Sequence, residues 1–249
     1  MGHRTENMEH KKESHLDFYK RWGALERPYL QWQFEQFSDC IGQRIADVGC
    51  GIGNFVEFLR DKELYLGFEP DAELAEEFKR SHRGGRKNIA LANSGDITAA
   101  GAAEEMRLNK LDTVICVNVL EHIKDDRRAL ENMVSGVNDN GHICIIVPAM
   151  PGLYGSLDAL DNHVRRYSKK ELLLLAGGLP VDIVSCYYMN FIGAIGWFIK
   201  GRILKEKTQK DANYGIINFL LPVISFVEGL VKPPFGLSLV MILQKERVK

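Results

Sequence analysis

The chain has 249 residues, a formal net charge of −1 and a hydrophobic fraction of 45%. This length allows one large α/β domain with additions, or two small domains. The near-neutral charge argues against the basic surface that nucleic-acid binding requires, so we expect no nucleic-acid partner. The five cysteines are far apart and form no C-x-x-C pair. They therefore favour reduced thiols, and we expect neither disulfides nor a metal site.

The N-terminal part of the chain, residues 1–40, predicts a helical lid on the domain that follows at 41–249. Residues 1–20 are polar and charged, with no apolar segment of the signal-peptide type. We therefore expect a cytoplasmic protein. Four aromatic residues then predict a helix that packs against the core. They are Tyr29, Trp32, Phe34 and Phe37.

A glycine-rich loop follows the first predicted strand, residues 44–48. Asp47 stands at its head, and an apolar pattern at 55–59 predicts a helix after it. In this order of strand, loop and helix, backbone N–H groups and a helix N-terminus face a bound ligand. The loop glycines, which can turn tightly and let a ligand touch the backbone, are Gly49, Gly51 and Gly53.

The loop lacks the G-x-G-x-x-G fingerprint of dinucleotide-binding proteins. Val56 or Asn54 stands where the third glycine belongs, depending on which glycine the pattern is started from. A nicotinamide-dependent oxidoreductase also often carries a Tyr-x-x-x-Lys pair, whereas Tyr167 is followed four residues later by Glu171. Both observations disfavour NAD as the ligand.

Acidic residues follow further along the chain. Glu69 ends a second predicted strand at 65–69, about twenty residues past the glycine loop, where nucleotide-binding α/β folds place an acid for the ribose hydroxyls. Asp96 follows a Ser-Gly pair. A later strand at 111–117 leads into the segment Leu120-Glu-His122.

Together these motifs resemble those of the class I S-adenosylmethionine-dependent methyltransferases, over roughly residues 44–150. The Leu-Glu-His segment is similar to that of the ubiquinone-biosynthesis type and of related small-molecule enzymes. Strands and helices alternate along the chain, which predicts an α/β fold with a doubly wound, seven-stranded, mostly parallel sheet. The predicted strands are 44–48, 65–69, 88–92, 111–117, 142–147, 181–188 and 238–244.

The resemblance implies S-adenosylmethionine as the cofactor. The glycine loop would contact its amino-acid part and ribose through the backbone, and Asp47 would orient the loop or the cofactor ammonium. Glu69 would accept the ribose hydroxyls. Asp96 would accept from the adenine amino group while the backbone N–H of Ile97 donates to the ring. The predicted cofactor residues are Asp47, Gly49, Cys50, Gly51, Gly53, Phe68, Glu69, Pro70, Asp96, Ile97, Asn118 and Val119.

Two interpretations are open for Glu121 and His122. In similar sequences this pair starts the helix after the fourth strand, and a catalytic role is conceivable there. We favour capping and loop ordering near the cofactor. His122 would in addition shield the methionine end of the site.

The segment after the fifth strand, residues 148–168, carries the side chains best suited to an acceptor, because strand C-terminal ends in such sheets face the ligand crevice. His163 is the candidate general base, since an imidazole titrates near physiological pH. Arg166 would pair with an acidic substrate group, or with Asp158 or Asp161. The alternative is an internal network that only orders the loop. The predicted substrate contacts are Tyr154, His163, Arg166 and Tyr167.

An apolar insertion at about 190–237 separates the last two predicted strands. It contains helical patterns at 191–204 and 215–231, but no run of about twenty apolar residues that would predict a spanning helix. We slightly favour two roles for this insertion: a pocket or lid for a lipid-linked substrate, or contact with an anionic membrane surface. The alternatives are packing on the sheet edge or a homodimer interface. Its basic residues are Lys200, Arg202, Lys205, Lys207 and Lys210.

The expected function is therefore methyl transfer to a small-molecule or lipid- or glycan-linked acceptor, with oxygen as the favoured acceptor atom. A sulfonium donor is already activated, so the enzyme mainly has to hold the nucleophile in line with the methyl group and exclude water. The alternatives are a methyltransferase-like binding protein without activity and, less favoured, an NAD-dependent oxidoreductase.

Overall fold

A seven-stranded sheet forms the centre of the molecule. The computed structural model describes residues 16, 20, 27–83, 87–205 and 212–247, with the backbone alone for 212–218. The strands are β1 (Arg44–Val48), β2 (Leu64–Phe68), β3 (Ile89–Leu91), β4 (Thr113–Val117), β5 (His142–Pro148), β6 (Val181–Met189) and β7 (Ser238–Lys245). Their order in the sheet is β3-β2-β1-β4-β5-β7-β6. The β7 strand is antiparallel to both of its neighbours, and the other pairs are parallel.

The predicted α/β fold with a seven-stranded, mostly parallel sheet is confirmed. The predicted strand bounds differ from the observed ones by two residues or fewer at each end. The order reverses direction beside β1, with β2 and β3 on one side and β4 and β5 on the other. In an open α/β sheet this switch point leaves a crevice at the carboxyl ends of the strands, where ligands bind.

Helices cover both faces of the sheet and bury a separate apolar cluster on each. They are α1 (Arg27–Glu35), α2 (Ala72–Ser81), α3 (Ala102–Leu108), α4 (Asp126–Gly136), α5 (Ser156–Leu160), α6 (Lys169–Ala176), α7 (Phe191–Trp197) and α8 (Ala212–Leu230). Residues from α3, α4 and α6 belong to one cluster, and residues from α1, α2 and α8 to the other. Successive residues of β5 belong alternately to the two clusters, because successive side chains of a strand point to opposite faces of the sheet.

The segment after the glycine loop differs from the predicted helix. It consists of turns and one short 3₁₀ helix, Val56–Leu59. Aromatic packing holds it in place: the Phe58 ring stacks on the Phe34 ring of α1, with centroids 5.1 Å apart. A 3₁₀ turn is tighter than an α-helix and runs for only a few residues. The glycine loop therefore faces the crevice without a long helix behind it.

Side-chain caps mark the starts of α2 and α6. The Asp71 side chain accepts hydrogen bonds from the backbone N–H groups of Glu73 and Leu74 and so caps α2. Ser168 and Glu171 form a capping box at the start of α6, which ends where Gly177 begins the next turn.

The predicted lid lies partly outside the described residues, which leave out 1–15, 17–19 and 21–26. Within the described part, α1 buries Leu30 and Trp32 in the same cluster as Leu221 and Ile224 of α8. The predicted insertion forms α7, which continues as a π-helix over Phe198–Ile203, and α8. A role for α1 as a lid stays a prediction.

Candidate functional site

The glycine loop adopts backbone conformations that favour glycine. Gly49, Gly51 and Gly53 have φ values of 70°, 56° and 92°, in the left-handed region that side chains with a Cβ rarely occupy. A Cβ on Gly49 would also lie 2.3 Å from the Val119 side chain. The loop after β1 therefore lies directly against the segment after β4, and the predicted residues of these two motifs form one surface.

Glu69 holds the glycine loop through its carboxylate. One oxygen accepts from the backbone N–H of Gly51 at 2.8 Å, and the other accepts from the backbone N–H of Asp71 at 2.9 Å. Glu69 therefore orders the loop, and ribose binding by Glu69 stays a prediction.

Asp47 is buried at the end of β1 and accepts a hydrogen bond from the Tyr65 hydroxyl. Burial raises the pKa of Asp47 to about 7, although the hydrogen bond from Tyr65 opposes the rise. The Tyr65 hydroxyl acts as a neutral partner, because burial raises its own pKa well above the ordinary value. Asp47 is thus tied to β2, which fits the predicted role of orienting the loop.

The segment with Asp96 lies beside Glu69. A Cβ on Gly95, whose φ is 59°, would be 3.2 Å from the Glu69 carbonyl oxygen. Asp96 is exposed, and its Oδ1 accepts from the backbone N–H and hydroxyl of Thr98. Ile97 is buried, and its carbonyl oxygen accepts from the Asn132 amide at 2.7 Å. The turn is therefore held in place, and adenine binding by Asp96 stays a prediction.

Three other predicted cofactor residues differ in what they offer a ligand. The Phe68 side chain is buried in the core, so only its backbone can reach the crevice. Pro70 is exposed at the same strand end. Asn118 has a φ of 54°, and its backbone N–H donates to Ile146 at 2.8 Å. The left-handed turn directs the chain from β4 toward the glycine loop.

Glu121 is fully buried in the 3₁₀ turn Leu120–His122, and neither of its carboxylate oxygens has a hydrogen-bond partner among the described residues. Burial raises the pKa of Glu121 to about 7. A capping role, which the sequence favoured, requires this carboxylate to accept hydrogen bonds from backbone N–H groups. The structure shows none within the described part. A buried acid without a hydrogen bond costs stability, which marks a functional candidate.

His163 lies beside this acid and is oriented by a second one. Its Nδ1 is 3.0 Å from Asp158 Oδ1, and its Nε2 is 4.0 Å from Glu121 Oε1. The backbone supports this pairing, because the N–H of Val164 donates to the Glu121 carbonyl at 2.8 Å. With the Nδ1 proton donated to Asp158, Nε2 is the free acceptor of the ring. That tautomer suits a general base.

The other predicted substrate contacts are engaged inside the protein. The Arg166 guanidinium donates to Asp158 at 2.6 Å and to the Ala149 carbonyl at 2.9 Å. It also lies over the Trp197 ring, 4.9 Å from the centroid. This is the predicted Asp158 pairing. Burial alone would raise the pKa of Asp158, but the hydrogen bond from His163 and the charge of Arg166 hold it below its ordinary value.

The two predicted tyrosines also have internal partners. The Tyr167 hydroxyl donates to Asp126 Oδ2 at 2.7 Å and is buried. The Tyr154 hydroxyl, which is partly exposed, donates to the His163 carbonyl oxygen at 2.8 Å. The internal network that the sequence left as an alternative is therefore present. It leaves His163 as the group with a free acceptor atom toward Glu121.

Glu121, His122 and His163 could also hold a metal ion. Their ligand atoms all lie within 4.8 Å of one another, and Asp158 stands behind His163 as a second carboxylate. Carboxylate and imidazole donors suit several divalent transition metals, and a carboxylate hydrogen-bonded to a ligating histidine is a usual outer partner. This grouping has no local sequence signal, because His122 and His163 lie far apart in the chain.

Three further residues of the site were not found from the sequence. Tyr65 contacts Asp47 from the neighbouring strand, Asp126 accepts from Tyr167, and the Trp197 indole donates to Asp158 Oδ2 at 3.1 Å. A motif search had no signal for them, because each acts on a partner from another element. For Trp197 the only signal was its place in the apolar insertion.

The chain is similar in sequence and fold to known methyltransferases. A family model described as a methyltransferase domain matches residues 46–143. A tRNA U34 carboxymethyltransferase of Campylobacter curvus is 27% identical over 158 residues, which cover 54% of this chain and 51% of the relative. The chain spans about half or less of the length of the curated relatives it matches.

Solved structures show the same fold. A S-adenosylmethionine-dependent methyltransferase from Archaeoglobus fulgidus aligns with a TM-score of 0.57 and 16% identity, over 92% of this chain and 99% of that one. The N-methyltransferase NodS from Bradyrhizobium japonicum, in complex with S-adenosylhomocysteine, aligns with a TM-score of 0.53 and 12% identity, over 95% and 90%. The chain therefore contains a match to a methyltransferase domain and shares the fold of solved S-adenosylmethionine-dependent methyltransferases.

Proposed function

We propose that this methyltransferase transfers its methyl group to an oxygen atom of a small-molecule or lipid- or glycan-linked acceptor, and that His163 takes the proton from that oxygen. One observation carries the proposal: Asp158 orients His163 so that its free Nε2 faces the buried carboxylate of Glu121. A hydroxyl acceptor must lose a proton during transfer, and an imidazole held in this way is suited to receive it.

The position of His163 supports the same role. The Val119 side chain touches the loop at Gly49, and Glu121 follows two residues later in the chain. The base therefore lies at the same strand ends as the predicted cofactor loop. Once His163 is protonated, an ionised Glu121 would stabilise the imidazolium across the 4.0 Å gap.

The test is an assay with isotopically labelled S-adenosylmethionine and a panel of phenols, sugar hydroxyls and polyprenyl-linked sugars, with the methylated atom located by NMR. We expect an O-methyl product. His163→Gln should lower kcat by about 10²- to 10⁴-fold and leave cofactor affinity unchanged. The matched control is His142→Gln, since His142 lies at the opposite end of β5.

Two further arms keep the proposal open to refutation. A tRNA fraction belongs in the panel, because the name of one relative denotes a tRNA enzyme. If tRNA alone were methylated, the proposal of a small-molecule or lipid- or glycan-linked acceptor would be wrong. A chelator arm examines the cluster of Glu121, His122 and His163. If activity disappeared with chelator and returned with a divalent metal, the acceptor would be activated by the metal, and His163 would not be the general base. A normal rate for His163→Gln would also refute the proposal.

A further inference from the structure

Exposed apolar side chains concentrate on the insertion between β6 and β7. In the part of the chain that the structure describes, 14 of the 20 exposed large hydrophobic residues lie between Ile192 and Phe235. Scattered apolar residues are normal on a protein surface, but a concentrated set marks an interaction site. This insertion thus presents a surface suited to contact with something other than water.

The α8 helix is apolar on two opposite faces. Leu221, Ile224 and Glu228 are buried at spacings of three and four residues and face the core. The other face is exposed at spacings of four, three and four, which is again one side of a helix. Its residues are Phe219 (81% exposed), Val223 (64%), Phe226 (68%) and Leu230 (71%). Packing of this helix on the domain explains the first face and leaves the second without a partner in the described chain.

The α7 helix and its π-helical continuation expose a second apolar row. Ile195, Ile199 and Ile203 recur at a spacing of four and are all exposed. Glu228 of α8 joins the two helices, because its carboxylate accepts from the backbone N–H groups of Asn190 and Phe191. We call the exposed apolar residues of both helices the insertion face, comprising Ile195, Ile199, Ile203, Phe219, Val223, Phe226 and Leu230.

Basic residues accompany the insertion face. Residues 190–237 contain six Lys or Arg and three Asp or Glu, although the whole chain has a net charge of −1. Lys200, Arg202 and Lys205 lie within or next to the π-helix, whereas Lys207 and Lys210 lie outside the described residues. Of the acids, Glu228 is buried as a cap. Apolar residues with adjacent cations are the composition of helices that lie on anionic membranes.

One acid borders the face. Glu35 of α1 and Phe226 line a cleft of about 470 Å³ between α1, β6 and α8, and Lys232 lies in the same cleft. The Lys232 ammonium is 4.0 Å from the centre of the Tyr187 ring. This cleft therefore carries one charge of each sign, in addition to the buried Glu228.

We propose that the insertion face docks on the surface of a lipid bilayer that contains anionic lipids. No helix among the described residues is long and apolar enough to cross a membrane, so the contact would be interfacial. A second copy fits less well, because a twofold contact would place the same excess of positive charge against itself. The Trp197 indole donates to Asp158, and Arg202 donates to the Tyr154 carbonyl at 3.1 Å. Docking would thus hold the loop with His163 next to the bilayer.

The test is co-sedimentation of the purified full chain with phosphatidylglycerol–phosphatidylcholine vesicles and with phosphatidylcholine vesicles. No cofactor or acceptor is present, so the result is independent of methyl transfer. We expect binding to the anionic vesicles that weakens as salt is added. Phe219→Ser with Phe226→Ser should lower partitioning by about 100-fold, since each buried phenyl group contributes strongly to insertion. Lys200→Gln and Lys205→Gln should each lower it by roughly 5-fold.

The matched control is Leu108→Ser with Leu174→Ser, which removes two equally exposed apolar residues outside the insertion; its partitioning should equal that of the wild type. Circular dichroism establishes that each variant is folded. Failure to bind anionic vesicles, or an equal loss in the control, would overturn the proposal. So would a dimer in analytical ultracentrifugation that Phe219→Ser with Phe226→Ser abolishes while vesicle binding persists, because the face would then be covered by a second copy.

Discussion

Two buried carboxylates at the same edge of the sheet differ in their surroundings. The Asp47 carboxylate, in β1, accepts from the Tyr65 hydroxyl. The Glu121 carboxylate, just after β4, has no hydrogen-bond partner among the described residues. Burial raises the pKa of both to about 7. The first acid is part of the scaffold of the predicted cofactor loop. The second acid faces His163, so its carboxylate can interact with that imidazole during the proposed proton transfer.

The same contrast separates the two halves of the site. Backbone groups and Glu69 build the predicted cofactor half, where a glycine loop and short turns leave little freedom. Side chains that reach across elements build the proposed acceptor half, where Asp158 joins His163, Arg166 and Trp197. Variants in the acceptor half should therefore affect stability and rate together, while variants in the cofactor half should act on cofactor affinity.

The largest effect is expected for Arg166→Met, which removes the buried cation that neutralises Asp158. Both side chains are almost fully buried, and loss of one partner from such a pair leaves an uncompensated charge. We expect the free energy of unfolding to fall by about 3–5 kcal/mol, measured by urea denaturation. Arg107→Met, at an exposed pair with Glu104, should cost less than about 1 kcal/mol. Equal losses would contradict a structural role for the Asp158 network.

The next effect concerns Glu121→Gln, which should make the protein more stable and the enzyme slower. A carboxyl group whose pKa is raised in the folded state contributes stability that is lost as pH rises through the folded value. The variant should therefore match the wild type at a pH near the ordinary pKa of the acid. It should gain up to about 3 kcal/mol above neutral pH, while kcat falls by about 10²-fold.

The control for this pH dependence is Glu246→Gln at an exposed position, which should shift unfolding little at any pH. Urea denaturation across the pH range gives the stability, and the methyl-transfer assay gives the rate. A wild-type rate in Glu121→Gln would show that the missing hydrogen bond serves no chemistry. A stability difference without pH dependence would show that Glu121 does not titrate with a raised pKa.

The sequence predicted the sheet well and supplied the candidate cofactor residues, because both rest on local signals. The alternation of apolar strands with helices, the glycines of one loop and the acids at strand ends lie within short stretches of chain. Contacts between distant elements were not predicted. Trp197 and Asp158 are 39 positions apart and Asp47 and Tyr65 are 18 apart, so neither pair produces a local pattern. The predicted helix after the glycine loop was wrong, because aromatic packing on α1 favours a shorter turn there.

A smaller effect, on affinity, is expected for Glu69→Ala. The substitution removes the acceptors of two backbone hydrogen bonds that order the loop, together with the predicted ribose contact. Calorimetry should show about 100-fold weaker binding of S-adenosylmethionine and of its demethylated product, from the loss of hydrogen bonds to a charged group. Glu73→Ala, on the exposed start of α2, should bind normally. Unchanged affinity in Glu69→Ala would remove the ribose assignment.

The smallest effect is expected for Tyr65→Phe, which deletes only the hydroxyl that donates to Asp47. The ring should keep its stacking on Phe78, 6.0 Å away, so the loss reports the hydrogen bond. We expect the free energy of unfolding to fall by about 1–3 kcal/mol above neutral pH. The difference should shrink as pH falls through about 7, because a protonated Asp47 is a weaker acceptor than a carboxylate.

Tyr187→Phe is the matched control for that measurement. Its hydroxyl is half-buried and contacts neutral acceptors of Gln36 at 3.3 Å, so its removal should cost about 1 kcal/mol or less, with no dependence on pH near 7. A small loss of stability without pH dependence in Tyr65→Phe would show that the Tyr65 hydroxyl does not stabilise the ionised form of Asp47. The contrast with the unpartnered Glu121 would then rest on geometry alone, without an electrostatic difference between the two acids.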